Sequence, residues 1–379
     1  MTHPLKITVA GAGVAGLAVG TALARRGHAV RVVERAPEIT EVGAGIQISP
    51  NGVRVLRALG VADRLAERAV RVERVRLIDG PRHRDVLALD MTDGFGGTPW
   101  YAVHRADLID TLLTAATEAG VRIETGVEIA PPPEGKPLAG EDLLIGADGL
   151  KSKLRARVDE ASKPFFTRQV AWRAVIDDPE DRAPEARVYM GPGRHLVSYP
   201  LTGGRRNIVA VEERTGWAEE GWSHSDHPAN LRAAFQGFKG PIRDWLEAVD
   251  TVYLWGLFRH RVAHRWHVGR QVLVGDAAHP TLPFLAQGAN LALEDAYVLA
   301  SALSEHAIEA ALPAYQAARH ARCQRVTEAA TRNARNYHLS FPPARIIGHT
   351  MLRMAGAVAP GRVRDGLGWI YNHDVTAQA

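Results

Sequence analysis

Three glycines near the start of the chain and one acid have the spacing of a nucleotide-binding site. Gly11, Gly13 and Gly16 follow the apolar, β-branched run 6–10 and precede a run rich in Ala and Leu. In a strand–turn–helix unit, such glycines permit the tight turn, the approach of a pyrophosphate and close packing of helix on strand. Glu34 follows a second apolar run, where a carboxylate can accept from a ribose hydroxyl. A Gly-rich turn in an ordinary α/β domain would leave this acid unexplained, so the pattern predicts nucleotide binding.

Two later carboxylates, Asp148 and Asp276, also follow apolar, strand-like runs. In open α/β sheets the ligand lies at the carboxyl ends of the parallel strands. We therefore expect Gly11, Glu34, Asp148 and Asp276 to meet in one crevice.

Asp276 begins a longer motif, GDAAHPTLPFLAQGAN at 275–290, which ends where a long helix is predicted to start. Asp276 can accept from a hydroxyl of a sugar chain. The backbone amides of Gly288 and Ala289 would form a positive helix end, suited to a group that gains negative charge. A reduced isoalloxazine gains such charge at its N1–C2=O edge, so the motif favours FAD over NAD.

The composition is ordinary for a globular protein and excludes several functional classes. Hydrophobic residues are 46% and charged residues 23% of the 379, and the formal net charge is +4. Arg is scattered without a dense basic run, so nucleic acid is not an expected partner. The single Cys323 excludes an intramolecular disulfide, and its helical context predicts a buried thiol. No signal peptide and no apolar run of membrane-spanning length is recognised, so we expect a cytoplasmic protein without a membrane anchor.

Hydrophobic periodicity changes along the chain. Buried-type strands alternate with helices up to about residue 165 and return at 271–276, whereas the strands of the middle third alternate as in an antiparallel sheet. The chain is thus predicted to be α/β: a Rossmann-like parallel sheet with helices, an inserted, mainly antiparallel β-sheet domain and a C-terminal helical region. The expected boundaries are 1–75, 98–165 and 267–340 for the nucleotide-binding domain, 76–97 and 166–266 for the inserted domain, and 341–379 for the tail.

Four local predictions accompany this division. Segment 42–49 should be a small-residue loop entering a strand, 70–78 a single strand and 150–158 a helix. The long C-terminal helices should break near Ala311–Pro313, because Pro interrupts a helix.

The motifs together resemble the FAD-dependent aromatic hydroxylases. They are GAGVAG at 11–16, Glu34–Arg35, HRADL at 104–108, GADG at 146–149 and the motif at 275–290, in the family's order. The chain is most similar to the salicylate hydroxylase-like and hydroxybenzoate hydroxylase-like branch, whose tail the segment 369–374 also resembles. The resemblance covers about residues 5 to 300 and is specific for family rather than for substrate.

The resemblance implies roles at the matching positions. Those expected to hold FAD are Gly11, Gly13, Ala15 and Gly16 at the pyrophosphate, Glu34 at the adenosine ribose, Arg35 and the Val127 backbone at adenine, Gln47 near the ribityl chain or phosphates, Arg105 at the pyrophosphate, Asp148 in the family's DG motif, Asp276 at the ribityl chain, and Gly288 and Ala289 at the flavin's pyrimidine edge. The sequence departs from the family where Ala286 and Ala289 replace a frequent Gly and a larger apolar residue.

The same resemblance implies the reaction. NADH or NADPH would reduce FAD without a second Rossmann domain, O2 would form a flavin C4a-hydroperoxide, and its distal oxygen would be transferred to a phenolic or hydroxy-acid ring, salicylate-like. The implied partners are therefore an aromatic small molecule, O2 and NAD(P)H, with a homodimer as a further option.

Residues facing the substrate are harder to assign. Alternation predicts that His195, Val197 and Tyr199 share one strand face, and in related hydroxylases the place of His195 carries a polar residue that meets substrate. His195 would be a base, with Tyr199 beside it, although a satisfied buried His is equally compatible. The remaining substrate candidates are Arg173, Asn207, Pro283 and Phe284. The polar side chains of Arg173 and Asn207 could instead have a structural role, and Pro283 and Phe284 are expected to form the wall in front of the flavin. His279 is expected to set loop geometry, and no metal site is predicted.

Three alternative functions stay open at this point. A flavin monooxygenase of the same fold could epoxidise its substrate or hydroxylate a larger natural product. An FAD-binding redox protein without catalysis would have less need of a site for a charged flavin. An NAD dehydrogenase would lack a bound yellow chromophore.

Overall fold

The computed structural model describes residues 3–39, 44–159, 164–178, 180–181, 183–214, 216 and 225–377. The first part of the predicted small-residue loop, Val42–Gly43, lies outside these residues. The second part is a strand, as expected.

The described strands, in chain order, are β1 (Lys6–Ala10), β2 (Ala29–Val33), β3 (Gly45–Ile48), β4 (Ala69–Arg71), β5 (Arg74–Asp79), β6 (Arg84–Asp90), β7 (Tyr101–His104), β8 (Arg122–Glu124), β9 (Leu143–Gly146), β10 (Phe165–Asp177), β11 (Glu185–Gly191), β12 (Arg194–Leu201), β13 (Arg205–Glu213), β14 (Ser225–Asp226), β15 (Val252–Arg259), β16 (His267–Val268) and β17 (Gln271–Leu273).

The described helices are α1 (Val14–Ala24), α2 (Pro50–Ala58), α3 (Ala62–Ala66), α4 (Arg105–Glu118), α5 (Arg155–Val158), α6 (Pro228–Phe235), α7 (Ile242–Glu247), α8 (Gly288–Glu305), α9 (Ile308–Tyr337), α10 (Pro342–Val358), α11 (Pro360–Asp365) and α12 (Gly368–Tyr371). In the part of the chain that the structure describes, none of these helices combines the length and apolar character needed to cross a lipid bilayer.

The first sheet confirms the predicted α/β architecture. Its order is β16-β17-β9-β1-β2-β8, and β17, β9, β1, β2 and β8 are mutually parallel. Helices α1, α4, α8 and α9 contribute to the core that covers it. The carboxyl ends of four neighbouring strands therefore bring Gly11, Glu34, Asp148 and Asp276 to the same edge, as the sequence predicted.

The second sheet has eight strands in the order β14-β15-β10-β13-β12-β11-β5-β6 and is antiparallel except where β11 pairs with β5. One face buries Trp172 and Leu196 against α6 and α7. The opposite face carries Val197 and Tyr199, which confirms the alternation predicted for β12. A third, small sheet consists of β3, β7 and β4, and the predicted domain boundaries stay a prediction.

Three local predictions were wrong. Segment 70–78 is two strands in different sheets, because β4 pairs with β7 while β5 pairs with β6 and β11. Only Arg155–Val158 of the predicted 150–158 helix is helical, because the Asp148 carboxylate accepts from the amides of Lys153 and Leu154 and holds a turn there. The C-terminal helices break at His306–Ala307, and α9 continues through Pro313 at the expense of one backbone hydrogen bond.

Candidate active site

The turn from Gly11 to Gly16 requires glycine at both ends. Gly11 has φ +107°, and a Cβ there would lie 2.4 Å from the carbonyl oxygen of Ala147. A Cβ on Gly16 would lie 1.8 Å from the Gly11 oxygen, so α1 could not start so close to β1. A Cβ on Gly13 would meet nothing within 4 Å. The turn therefore leaves open space at Gly13, next to the amino end of α1, where a phosphate can approach the backbone.

Glu34 and its neighbours form the next part of the rim. Its carboxylate accepts from the amides of Ala12 (2.9 Å) and Ala36 (3.0 Å), which fixes it beside the glycine turn. The amide of Val127 donates to the backbone oxygen of Glu34 at 3.0 Å, and Arg35 is exposed beside it. Glu34, Arg35 and Val127 thus meet at the end of β2, where they can contact an adenosine.

Asp148 and Asp276 lie at the ends of β9 and β17. One oxygen of Asp148 is buried and has no hydrogen-bond partner among the described residues. Asp276 is exposed, whereas Gly275 and Ala277 on either side of it are buried. The Arg105 guanidinium is near enough to act electrostatically on the Asp276 carboxyl. An orphaned acceptor, an exposed carboxylate and a cation at one rim fit a ligand with hydroxyls and phosphates.

The loop before α8 presents backbone amides to the same crevice. The first amides of a helix have no intrahelical acceptor, so those of Gly288 and Ala289 are available to a ligand. Ala286, just before, adopts the left-handed conformation at φ +53°, which costs a residue with a Cβ about 1–2 kcal/mol. This conformation explains why glycine is frequent at that position in the family that the sequence resembles.

Asn290 and Gln287 hold this loop in place. The Asn290 amide donates to the oxygens of Ala286 (2.6 Å) and Gln47 (3.2 Å) and accepts from the Ser49 amide (3.0 Å). Gln287 donates to the Ser49 hydroxyl at 2.8 Å. The loop and strand β3 are therefore one rigid unit, which puts Gln47 at the rim.

A buried ionic network lies beneath the loop. Asp295 accepts from the Gly275 amide (2.9 Å), from His279 (2.5 Å) and from Arg319 (2.8 Å). Glu294 pairs with Arg319 at 2.5 Å and with Arg322 at 2.7 Å. Burial alone would raise the pKa of Glu294, but these arginines hold it at about 2. Burial would lower the pKa of His279, but Asp295 raises it well above its ordinary value.

The ligand atoms of His279, Asp295 and Cys323 lie within 4.8 Å of one another, and all three residues are buried. Arg319 supplies positive charge within this cluster and lies 3.6 Å from the Cys323 sulfur. His279 therefore sets the geometry of the 275–279 turn, and Cys323 is the buried thiol that was predicted.

An apolar cavity of about 530 Å³ adjoins the rim, between the second sheet and the C-terminal helices. The loop Pro283–Ala286 and Gln47 form one wall. The remaining lining residues are mostly aliphatic or aromatic: Val75, Leu77, Leu87, Leu89, Met91, Phe95, Trp100, Ala186, Val188, Met190, Val197, Asn333, Asn336, Tyr337, Leu339, Gly348, His349, Met351, Leu352, Val363, Leu367 and Tyr371. Such a lining suits an aromatic molecule and keeps water away from it.

Pro283 and Phe284 line this cavity, as predicted, but four other predicted residues do not. Arg173 stacks over the Trp255 ring, 4.4 Å from its centroid. Asn207 is buried and accepts from the Gly45 amide at 2.7 Å. Tyr199 is buried beside Asn207, and burial raises the pKa of its hydroxyl. Tyr199 and Asn207 pack against Gly45 and Arg173 packs against β15, and none of the three lines the cavity.

His195 lies directly behind the cavity wall. Its ring contacts those of Phe284 and Tyr337, with centroids 5.2 Å away in both cases. Its Nδ1 is 2.6 Å from Nε2 of His338, whose Nδ1 is 2.8 Å from a Glu213 carboxylate oxygen. Burial and the neighbouring His338 lower the pKa of His195 well below its ordinary value.

Several residues of the site carry no recognisable signal in the sequence. Glu294, Asp295 and Arg319 lie inside helices α8 and α9, where charged residues are common. Glu213, His338 and His349 are isolated in sequence and become neighbours of the cavity through the return of α9 and α10.

The chain matches the family model described as "FAD binding domain" over residues 5–135 and 140–330. It is 39% identical to a 3-amino-4-hydroxybenzoate 2-monooxygenase of Streptomyces cremeus over 363 residues, 89% of each chain. Among solved structures, it resembles Klebsiella pneumoniae HpxO complexed with FAD and uric acid, with a TM-score of 0.82, 25% identity and coverage of 96% and 95%. It shares its fold with a salicylate hydroxylase substrate complex, with a TM-score of 0.81, 22% identity and coverage of 99% and 97%.

Replacing Asp276 by Ala should weaken retention of FAD by about tenfold or more, because a charged hydrogen bond to a cofactor hydroxyl is lost. Flavin absorbance after dialysis, relative to protein, measures this. Asp63→Ala, an exposed acid on α3, is the control and should retain FAD. Equal flavin content in the Asp276→Ala and control proteins would remove Asp276 from the cofactor site.

Proposed function

Since this chain belongs to the FAD-binding domain family and is a flavin-dependent aromatic monooxygenase, we propose that it hydroxylates a phenolic ring bound in the apolar cavity. The observation that carries the proposal is the position of the Pro283–Ala286 loop. It lines the cavity on one side and leads into the cofactor-facing amides of α8 on the other. A substrate ring would therefore lie next to the place where the cofactor's reactive edge is expected.

We assign the cofactor contacts to the rim residues. The pyrophosphate would lie at the Gly11–Gly16 turn and Arg105, adenosine at Glu34, Arg35 and Val127, and the flavin side at Gln47, Asp148, Asp276, Gly288 and Ala289. FAD, when bound, supplies the electrons of NAD(P)H and oxygen activated from O2. Because NAD(P)H is an intracellular reductant, we also propose that the enzyme works in the cytoplasm.

The chain itself contributes exclusion of water and control of the substrate's proton. The aliphatic walls of the cavity keep water from the reacting atoms. A phenol becomes a better nucleophile when its proton is removed, so a path for this proton is needed.

A panel of phenols and hydroxybenzoates should contain compounds that stimulate NADH or NADPH oxidation at least tenfold, with O2 consumed and one hydroxylated product formed per NAD(P)H. Oxygen-electrode traces and product analysis measure this. Non-phenolic benzene derivatives of equal size are the control. If no phenol stimulates oxidation, epoxidation or another reaction of the same fold replaces aromatic hydroxylation.

We propose that His195, His338 and Glu213 carry the substrate's proton to solvent. Since Nδ1 of His195 faces His338, only its Nε2 is left to accept a proton from the cavity side. The proton on Nδ1 then passes to His338, and His338 releases its own to Glu213, which is half exposed. Burial lowers the pKa of both histidines, which favours the neutral forms that can pass a proton. The rings of Phe284 and Tyr337 cover His195, so one of them must yield, or a water must enter, during transfer.

His195→Gln should lower kcat by about 100-fold, the typical contribution of a general base, with FAD content unchanged. Glu213→Gln should move the acidic limb of the kcat profile to lower pH. The reason is that Glu213 raises the pKa of His338, and a base with a lower pKa stays deprotonated in more acidic solution. Arg194 lowers the pKa of His338 and so opposes the effect of Glu213 on it, and Arg194 is unchanged in both variants. Equal kcat in wild type and His195→Gln would exclude this path.

We propose that a second copy of the chain packs against the outer face of α10. Ile347, Met351, Met354 and Val358 are 59–84% exposed and spaced by four, three and four residues, as in the seam of a paired helix, and Met351 also borders the mouth of the cavity. Small, uncharged residues flank this seam at 348, 350, 355 and 357, which permits close approach of another helix. Since both seams would be identical, a two-fold axis would let each cover the other in a closed dimer.

Met354→Glu combined with Val358→Glu should convert a dimer to a monomer, because four carboxylates would then be buried in the contact. Light scattering after size-exclusion chromatography gives the mass. Arg345→Glu combined with Arg353→Glu changes charge on the same helix outside the seam and should leave a dimer. A monomeric wild type would contradict the proposed pairing.

A further inference from the structure

We propose that His349 is the hydrogen-bond acceptor for a second polar group of the substrate, an O–H or N–H remote from the ring that is hydroxylated. The inference rests on the proposed function, because it concerns a ligand of the same cavity.

His349 is held by a buried acid. It lines the cavity from α10 and is 3% exposed, and its Nδ1 lies 3.2 Å from a carboxylate oxygen of Asp79. Asp79 is the last residue of β5 and is 2% exposed. A carboxylate can only accept, so the proton of a neutral imidazole must be on Nδ1. The other nitrogen, Nε2, then carries a lone pair.

The surroundings favour the neutral form of this imidazole. Burial lowers the pKa of His349, and Arg345 and Arg353 add to this effect, whereas Asp79 opposes it without reversing it. Among the described residues no hydrogen bond reaches Nε2. The cavity lining therefore contains an acceptor that is left free for a donor on a ligand.

The cavity selects against charge at this position. None of the lining residues that the structure describes is Lys, Arg, Asp or Glu. A carboxylate placed against the lone pair of Nε2 would be repelled and desolvated. The group recognised is thus an uncharged hydroxyl or amine.

The strand pairing gives the distance that a ligand must span to reach both ends of the cavity. Asp79 is paired with Met190, and Met190 is paired with His195, so two interstrand spacings separate Asp79 from His195. This is about 10 Å. Phe284, at the cofactor end of the cavity, packs against His195. A molecule that reaches both ends is longer than a single substituted ring, in agreement with the cavity volume of about 530 Å³.

The test compares two ligands that differ only in the ability to donate at the far end. The probes are 4,4′-dihydroxybiphenyl and 4-hydroxy-4′-methoxybiphenyl, titrated calorimetrically into FAD-loaded enzyme. Wild type should bind the first about tenfold more tightly, the effect of one neutral hydrogen bond. His349→Phe should abolish this preference, and Asp79→Asn should weaken it, because an amide permits either imidazole tautomer. Ile347→Ala, on the outer face of α10, should preserve it.

The proposal is overturned if wild type binds the two probes equally, if it binds neither, or if His349→Phe keeps the preference while remaining folded by thermal melting. Phenol-stimulated NAD(P)H oxidation with hydroxylated product is measured separately on the single-ring panel. If this activity is found but His349 binds no ligand group, the proposal of aromatic hydroxylation still stands.

Discussion

Two adjacent carboxylates on α8, Glu294 and Asp295, hold together the loops that frame the site. Asp295 binds the 275–279 turn, whereas Glu294 binds Asn51 at the start of α2 and Arg322 on α9. Arg319 lies between them and balances their charge. Breaking a buried pair of this kind by removing one partner costs about 3–5 kcal/mol, because a charge is left unpaired. The exposed Asp276 and the amides at the start of α8 owe their fixed relative position to this network.

The cofactor side of the site was largely predictable from the sequence. A parallel strand, a tight turn and a helix impose strict local requirements, which leave glycines and acids at recognisable spacings. The positions of Gly11 and Gly16 illustrate this, since a Cβ at either would overlap a backbone oxygen. The rule that parallel strands end at one edge then brought Glu34, Asp148 and Asp276 together without further information.

The substrate side was predictable only in part. Alternation correctly gave the face of β12, but it could not show that the rings of Phe284 and Tyr337 cover His195. Nor could it show that Arg173 stacks on Trp255. These outcomes depend on how α9 and α10 return across the sheet, over contacts far apart in sequence. The same return brings His349 to Asp79, a pairing across 270 residues.

The order of strands in the first sheet has a consequence for biosynthesis. The strand that comes last along the chain, β17, pairs with β9, which in turn pairs with the first strand, β1. Tyr371, near the final residues, still forms part of the cavity wall. A nascent chain can therefore complete the rim only after β17 and the start of α8 have been translated, and the cavity wall only after Tyr371 has been added.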